Sequence, residues 1–121
     1  MKIENIKFKA KELGTGKWKE GFLQRDMNYN LCILIANKED HSWYWTQIDP
    51  STVCMFTGLK DKNGTPIYEG GMVTHKDNNA ERRGTINWDS KTAAFCFGCD
   101  FLYNFPSENM VVVGNKFDKE K

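Results

Sequence analysis

The chain has 121 residues, and its 17 Lys and Arg residues against 16 Asp and Glu residues give a formal net charge of +1. This length fits one domain, or one domain with a subdomain, and 40% apolar residues are enough for a hydrophobic core. The balanced charge argues against a dedicated non-specific DNA-binding protein, which usually has a strongly basic surface. A local basic patch is still compatible with it.

The distribution of apolar residues along the sequence indicates neither a signal peptide nor a transmembrane helix. The first five residues lack the apolar segment of a signal peptide. The longest apolar run, residues 31–36, is far shorter than the ~20 residues that a transmembrane helix needs. We therefore expect a cytoplasmic protein without a membrane partner, whose four cysteines are reduced thiols.

Short strands are predicted throughout the N-terminal third. Residues 7–11 alternate polar and apolar, and their lysines suit an edge strand. Residues 18–25 form a second candidate strand, with Gly21 as a bulge position. The apolar run 31–36 is typical of a strand buried on both faces, although a short buried helix has the same pattern.

An aromatic strand is predicted at residues 42–48. Alternation places Trp43 and Trp45 on one face, and Tyr44 and Thr46 on the other. A functional interpretation is a platform on which nucleic-acid bases stack. A structural interpretation is that the two tryptophans fill the core or a subunit interface, and the general prevalence of aromatics there favours it.

Turn signals dominate the middle of the chain. Asp49 and Pro50 suit the N-cap and first position of a short helical turn. A strand over residues 53–60 is followed by Asn63-Gly64, which predicts a hairpin with a type I′ turn. Pro66 should open the next strand, because proline cannot donate a ladder hydrogen bond. A second turn at residues 69–71 then leads into a further strand.

Three motifs of this segment carry a family resemblance. Residues 49–53 read Asp-Pro-x-Thr-Val, residues 57–64 read Thr-Gly-Leu-Lys-Asp-Lys-Asn-Gly, and residues 67–70 read Ile-Tyr-Glu-Gly. They resemble the YopX-like family of phage and prophage proteins, and the likeness continues at residues 84–88 and 108–115. The family normally has Asp after Glu-Gly, where this sequence has Gly71. Any role of that Asp in relatives would therefore be missing here.

The resemblance implies a fold more clearly than an activity. It implies a small SH3-like barrel in residues 49–121, with residues 1–48 as an N-terminal β-rich region that packs on the barrel. It also implies a phage or prophage accessory protein in the host cytoplasm, and it supplies no catalytic residue. The pattern independently predicts an all-β chain, since strand-length segments and turn signals alternate closely and no helix of ordinary length is indicated.

The C-terminal half continues this pattern. Residues 77–83 are predicted to form a polar loop, and residues 84–88 and 92–97 a hairpin. Residues 110–113 are the last predicted strand, before a charged tail, residues 116–121, that we expect to fray.

A phosphate site is one interpretation of the predicted polar loop. Arg82 and Arg83, with Lys76 before the loop, could bind phosphate groups. Adjacent arginines are, however, more often simply solvated.

Cys96-Phe97-Gly98-Cys99 is the only motif that hints at metal or redox chemistry. Zinc needs four ligands, and a continuous strand would place the two sulfurs on opposite faces. Only a turn at Phe97-Gly98 would bring them together. We therefore expect no metal, no cofactor and no catalytic residue, and structural thiols instead.

Three functional hypotheses follow. The favoured one is a non-catalytic binding module that contacts an unknown protein partner, with self-association as a plausible addition. The alternative is a nucleic-acid-binding protein of phage replication or regulation, which the net charge of +1 disfavours. The third is a small hydrolase or metal enzyme built on Cys96, Cys99 and His75. The predicted binding residues are Trp43, Tyr44, Lys76, Arg82 and Arg83.

Overall fold

A computed structural model describes residues 2–78 and 80–118 of the chain. It confirms the all-β prediction: the longest regular elements are strands, and the helices are single 3₁₀ turns at Ile3–Asn5, Pro50–Thr52, Leu102–Asn104 and Ser107–Asn109. No helix within these residues is long and apolar enough to cross a membrane. The strands are β1 Phe8–Lys11, β2 Trp18–Arg25, β3 Leu31–Ala36, β4 Trp43–Gln47, β5 Cys54–Lys60, β6 Pro66–Tyr68, β7 Gly71–Lys76, β8 Glu81–Asp89, β9 Ala94–Phe97, β10 Asp100–Phe101 and β11 Met110–Asn115.

The chain divides into two compact units, one ending at Phe56 and the other starting at Thr57, so the boundary falls within the sequence of β5. The predicted boundary, between residues 48 and 49, lies just before this point. In the N-terminal unit the strand order is β4-β3-β2-β1-β5, with antiparallel pairing. One face of this sheet carries a core of Ala10, Ile33 and Ile48, with Phe8, Leu23, Leu31, Ile35 and Val53 packed around it.

The strand positions predicted for this unit are confirmed, but β1 is not the edge strand that its lysines suggested, since it lies between β2 and β5. Two further details also differ from the prediction. In β3, only Cys32 and Ile33 are buried, so burial on both faces is limited to the start of the strand. Gly21 is not at a bulge, since β1 and β2 keep a regular register around it. Its role is steric, because a Cβ atom there would overlap the backbone oxygen of Leu34 on β3.

The turns of the central segment are built by two aspartates. Asp49 caps the 3₁₀ turn as predicted, and its side chain accepts a hydrogen bond from the Ser51 N–H. The hairpin between β5 and β6 forms, but the type I′ prediction is wrong. Gly64 has a φ of +81°, whereas Asn63 is not in the left-handed region. The loop is instead closed by a hydrogen bond from the Gly64 N–H to the Asp61 carbonyl oxygen, as in a type I turn followed by a left-handed glycine.

The side chain of Asp61 explains why the type I turn forms here. Its buried carboxylate accepts hydrogen bonds from the backbone N–H groups of Asn63 and Thr65, at 2.8 and 2.9 Å, and from that of Val112 on β11, at 2.9 Å. Burial by itself raises the pKa of Asp61, but the three donors outweigh it and hold the pKa below its ordinary value. The side chain thereby fixes the hairpin and ties it to the last strand.

The C-terminal unit contains a second antiparallel sheet with the strand order β10-β9-β8-β7-β11, and β6 pairs with the later part of β5. The described strands form open sheets and not a closed barrel, so the SH3-like part of the prediction is not confirmed. The core of this unit consists of Ile67, Val73, Ile86, Phe97, Leu102 and Met110.

Two local predictions for this unit need correction. The polar loop was expected to extend over residues 77–83, but β8 begins at Glu81, so both arginines lie in a strand. Asn79 lies outside the described residues. In the tail, the N–H of Lys116 donates to the Gly70 carbonyl and that of Asp118 to the Asn115 carbonyl. The expected fraying therefore does not apply to these residues, and residues 119–121 are outside the described part.

Candidate binding surfaces

Strand β4 lies at the edge of the N-terminal sheet and carries three exposed aromatic side chains. Trp43 is 57% exposed, Tyr44 45% and Trp45 54%. The part of the structural interpretation that placed the tryptophans in the core is therefore wrong. The pairing of Ile35 with Tyr44 puts that tyrosine on the core side of the sheet, so the predicted pair Trp43 and Tyr44 does not share a face.

An aromatic face forms on the other side of this sheet. Phe22, Leu34 and Trp45 lie directly opposite one another across β2, β3 and β4. Trp43 adjoins this row, with its ring centroid 6.4 Å from that of Phe22. We call Phe22, Leu34, Trp43 and Trp45 the aromatic face.

A groove of about 160 Å³ opens at one end of the aromatic face. The first 3₁₀ turn forms one side of it with Ile3, which is 70% exposed, followed by Ile6. The rest of its apolar lining comes from Phe22, Leu34, Ala36 and Trp43. The groove therefore offers a concave apolar site next to exposed aromatic rings.

A row of lysines borders the same face of the sheet. Lys9 pairs with Glu20, two residues before Phe22, so Lys7, Lys9 and Lys11 point to the side of the aromatic face. The ammonium groups of Lys9 and Lys11 lie 4.7 and 5.4 Å from the ring centroid of Trp18. Lys7 forms a 3.3 Å ion pair with Glu20. These cations are thus held in place by rings and a carboxylate.

The predicted phosphate-binding residues are not brought together. Arg83 pairs with Thr74 and Arg82 with His75, so the two arginines point to opposite faces of the sheet. Arg82 forms a 2.8 Å ion pair with Asp100. Its guanidinium lies 4.8 Å from the ring centroid of Phe105. Its contacts are those of a residue that packs over the core and joins β8 to β10.

Lys76 and Arg83 do share a face, beside a second groove. Lys76 pairs with Glu81, two residues before Arg83. The groove has a volume of about 330 Å³ and its charged lining is balanced, with two lysines and two glutamates. Such a balance gives no net attraction for an anion. Its lining residues are Lys62, Thr74, Lys76, Glu81, Glu108, Asn109 and Val111.

The residues of the enzyme hypothesis are also separated. His75 is buried among aromatic rings, 5.2 Å from Phe105 between centroids, and its Nε2 has no hydrogen-bond partner among the described residues. Cys96 is buried on the face of β9 opposite to Phe97, which packs near His75. The turn at Gly98-Cys99 leaves Cys99 exposed.

The described residues contain no candidate metal site, since none of their His, Cys, Asp and Glu side chains form a group of three or more that could hold an ion. Cys32 approaches Asp26, with Sγ 3.9 Å from a carboxylate oxygen. Burial and the nearby carboxylate both raise the pKa of the Cys32 thiol. That thiol is therefore a poor nucleophile.

The sequence prediction included Trp43 but not the residues that surround it. Trp45 was recognisable from alternation alone, since it is two residues away on the same strand. Phe22 and Leu34 had no local signal, because only the register of β2, β3 and β4 places them beside the tryptophans. The lysine row likewise depends on the pairing of β1 with β2.

The comparisons with known proteins agree with the motifs of the central segment. The family described as YopX protein matches residues 7–120, nearly the whole chain. No curated protein and no solved structure matches the chain.

Proposed function

The chain belongs to the YopX protein family, and we propose that it is a non-catalytic binding module, encoded by a phage or prophage and active in the host cytoplasm. Its aromatic face contacts a protein partner. The SH3-like assignment of its C-terminal unit belongs to the same proposal, and its support is the succession of short antiparallel strands and tight turns in that unit.

The observation that carries the proposal is the exposure of adjoining aromatic rings. Phe22 is 40% exposed, and Trp43 and Trp45 are more than half exposed. Since an aromatic side chain presents roughly 150–250 Å², these three leave on the order of 300 Å² in contact with water. That is the size of the largest apolar patch on a typical monomer, which is often functional. Tryptophans in such patches are frequent binding hot spots.

The groove beside Trp43 provides the specificity of this surface. Its apolar lining suits one large apolar side chain of the partner, inserted between Ile6 and the Phe22 ring. An anchor that fills a pocket and is surrounded by aromatic contacts is the usual centre of a protein interface.

Affinity purification from host lysate, with and without nuclease, tests the proposal. The tagged wild-type chain is compared with Phe22→Ala/Trp43→Ala and with the control Trp88→Ala, which removes an exposed tryptophan of the C-terminal unit. We expect a discrete protein partner that survives nuclease, is lost from the double variant and is retained by the control. Equal recovery by all three proteins would contradict the proposed surface.

Nucleic-acid binding is the second candidate, and the lysine row beside Trp18 is the observation in its favour. Single-stranded nucleic acid binds where bases stack on aromatic rings next to basic side chains. Fluorescence anisotropy with a labelled oligonucleotide at several salt concentrations would test it. Strong salt dependence, reduced by Lys9→Gln/Lys11→Gln, would favour this candidate over the protein partner.

A further inference from the structure

The free edge of β4 is ready to accept another strand. In the described part of the chain, β3 lies on one side of β4; the other side carries no named strand, and only Glu12 forms a β-bridge there, with Ile48 just after β4. The Ile48 N–H donates to the Leu31 carbonyl, so residues two and four positions earlier, Thr46 and Tyr44, also direct their main-chain groups toward β3. Trp43, Trp45 and Gln47 therefore direct theirs outward.

Part of this outer edge is already used. The carbonyl of Gln47 accepts a hydrogen bond from the Leu13 N–H. The strand cannot extend backwards either, since His41 has a left-handed φ of +59°. Trp43 and Trp45 are left as the outward-facing pair with regular extended geometry.

Strand β4 also lacks the features that usually protect an edge. Exposed edges tend to carry a lysine, a proline or a bulge, which discourages pairing with another chain. The sequence of β4 is Trp-Tyr-Trp-Thr-Gln, without a charge or a proline, and its pairing with β3 is regular. Uncharged aromatic residues at a free edge favour pairing and do not repel a second copy.

We infer that this edge pairs with β4 of a second copy of the chain, antiparallel about a twofold axis through Tyr44. In this register Trp43 of one protomer lies opposite Trp45 of its partner, and the reverse. Both residues direct their main-chain groups outward, so each such pair exchanges both of its hydrogen bonds. A twofold axis at Trp45 would pair Trp43 with Gln47, whose carbonyl already accepts a hydrogen bond from Leu13. A twofold axis at Trp43 would pair Trp45 with His41, which is not extended.

The side chains are compatible with the same register. On one face, the tryptophans of the two protomers form a continuous row that joins the two aromatic faces. On the other face, the two copies of Tyr44 meet in a non-hydrogen-bonded pair. Cross-strand aromatic pairs of this kind stabilise a sheet. The inference does not depend on the proposed partner, because side chains on the joined face remain accessible.

The area available for pairing is small. The three aromatic residues of β4 are about half exposed, so pairing covers at most roughly 300 Å² of their side-chain area per protomer. A standard interface buries about 800 Å² on each partner. We therefore expect a weak dimer in reversible exchange with the monomer, with a dissociation constant in the micromolar range or above.

Sedimentation velocity over a concentration series is the first test. We expect the average mass of the wild type to rise from 14.0 kDa toward twice that value. Trp45→Lys places like charges near the twofold axis and should weaken the dimer about tenfold or more. The control Trp88→Lys, at another exposed tryptophan, should dimerise like the wild type. A wild-type chain that remains monomeric at every concentration would overturn the inference and leave the edge to a strand of another protein.

A disulfide trap provides an independent test of the register. Residues in a non-hydrogen-bonded antiparallel pair have Cα atoms about 4.5 Å apart, within the range of a disulfide bond. In a Cys99→Ser background, which removes the exposed native thiol, Tyr44→Cys should form an intermolecular disulfide under mild oxidation. Tyr103→Cys, at a position 76% exposed in the other unit, should not. Equal cross-linking of the two variants would exclude a twofold axis at Tyr44.

Discussion

At the scale of single residues, Asp61 has a clear structural role although it is not among the predicted site residues. It belongs to the motif that carried the family resemblance, and its carboxylate joins the β5–β6 turn to β11. Gly58 and Gly64 of the same motif have φ angles of +89° and +81°, which glycine adopts at little cost. These features show that the most specific sequence block of the chain builds a hairpin.

Asp61→Asn should destabilise the chain by about 2 kcal/mol, because an amide cannot accept hydrogen bonds from all three backbone donors without turning its own N–H groups toward one of them. Urea unfolding monitored by tryptophan fluorescence measures the change. Asp89→Asn is the matched control. The Asp89 carboxylate accepts a hydrogen bond from the Lys91 N–H in the turn after β8, and its substitution should lower the free energy of unfolding by less. Equal losses would mean that the link to β11 adds nothing.

Gly71→Asp should also destabilise this chain. A Cβ atom at Gly71 would lie 2.9 Å from the Tyr68 carbonyl oxygen, and the position is buried. We expect a loss of about 1–3 kcal/mol. Gly114→Ala on the neighbouring strand β11, where a Cβ meets nothing within 4 Å, is the control. Unchanged thermal stability of Gly71→Asp would show that the backbone near Tyr68 shifts freely.

At the scale of elements, the sequence identified strands reliably and turn types less reliably. Asn63-Gly64 satisfies the composition of a type I′ turn, but the side chain of Asp61 stabilises the alternative by binding the N–H groups that follow it. Similarly, the charged residues 81–83 look like a loop, yet they extend β8 through pairing with β7. In both cases hydrogen bonds to other residues override the local preference.

The turn assignment can be tested with two alanine variants. Gly64→Ala forces an L-residue into a left-handed conformation and should cost about 1 kcal/mol. Asn63→Ala should change stability by less than about 0.5 kcal/mol, since Asn63 is not in that region. Thermal unfolding of both variants decides between the turn types, because a type I′ turn would penalise both substitutions.

At the scale of the whole molecule, five carboxylates among the described residues are stabilised in their charged form. Hydroxyl groups of Thr46 and Thr15 lower the pKa of Glu12, and the backbone N–H of Asn30 is the main cause for Asp26. Hydrogen bonds from Ser42 lower the pKa of Asp40, and hydrogen bonds from Ser51 lower that of Asp49. Asp61 completes the set. The five residues are Glu12, Asp26, Asp40, Asp49 and Asp61.

These shifts predict acid instability. A pKa that is lower in the folded state means that the stabilisation is present above the unfolded value, near 4, and is lost as the pH falls through the folded value. We expect the free energy of unfolding to decrease below about pH 4. A pH series of urea unfolding measures it, and Asp61→Asn should show a shallower decrease. A stability that rises on acidification would contradict the assignment.

The sequence by itself determined the all-β class, the position of nearly every strand and the family, because alternation, turn residues and short motifs are local properties of the chain. It also identified β4 as an aromatic strand of interest. Only the tertiary structure decided that the tryptophans are exposed at a sheet edge, that Phe22 joins them, and that Arg82 and Arg83 point apart. Those facts depend on strand order and register, which arise from pairing between segments that are distant in sequence and which no local pattern encodes.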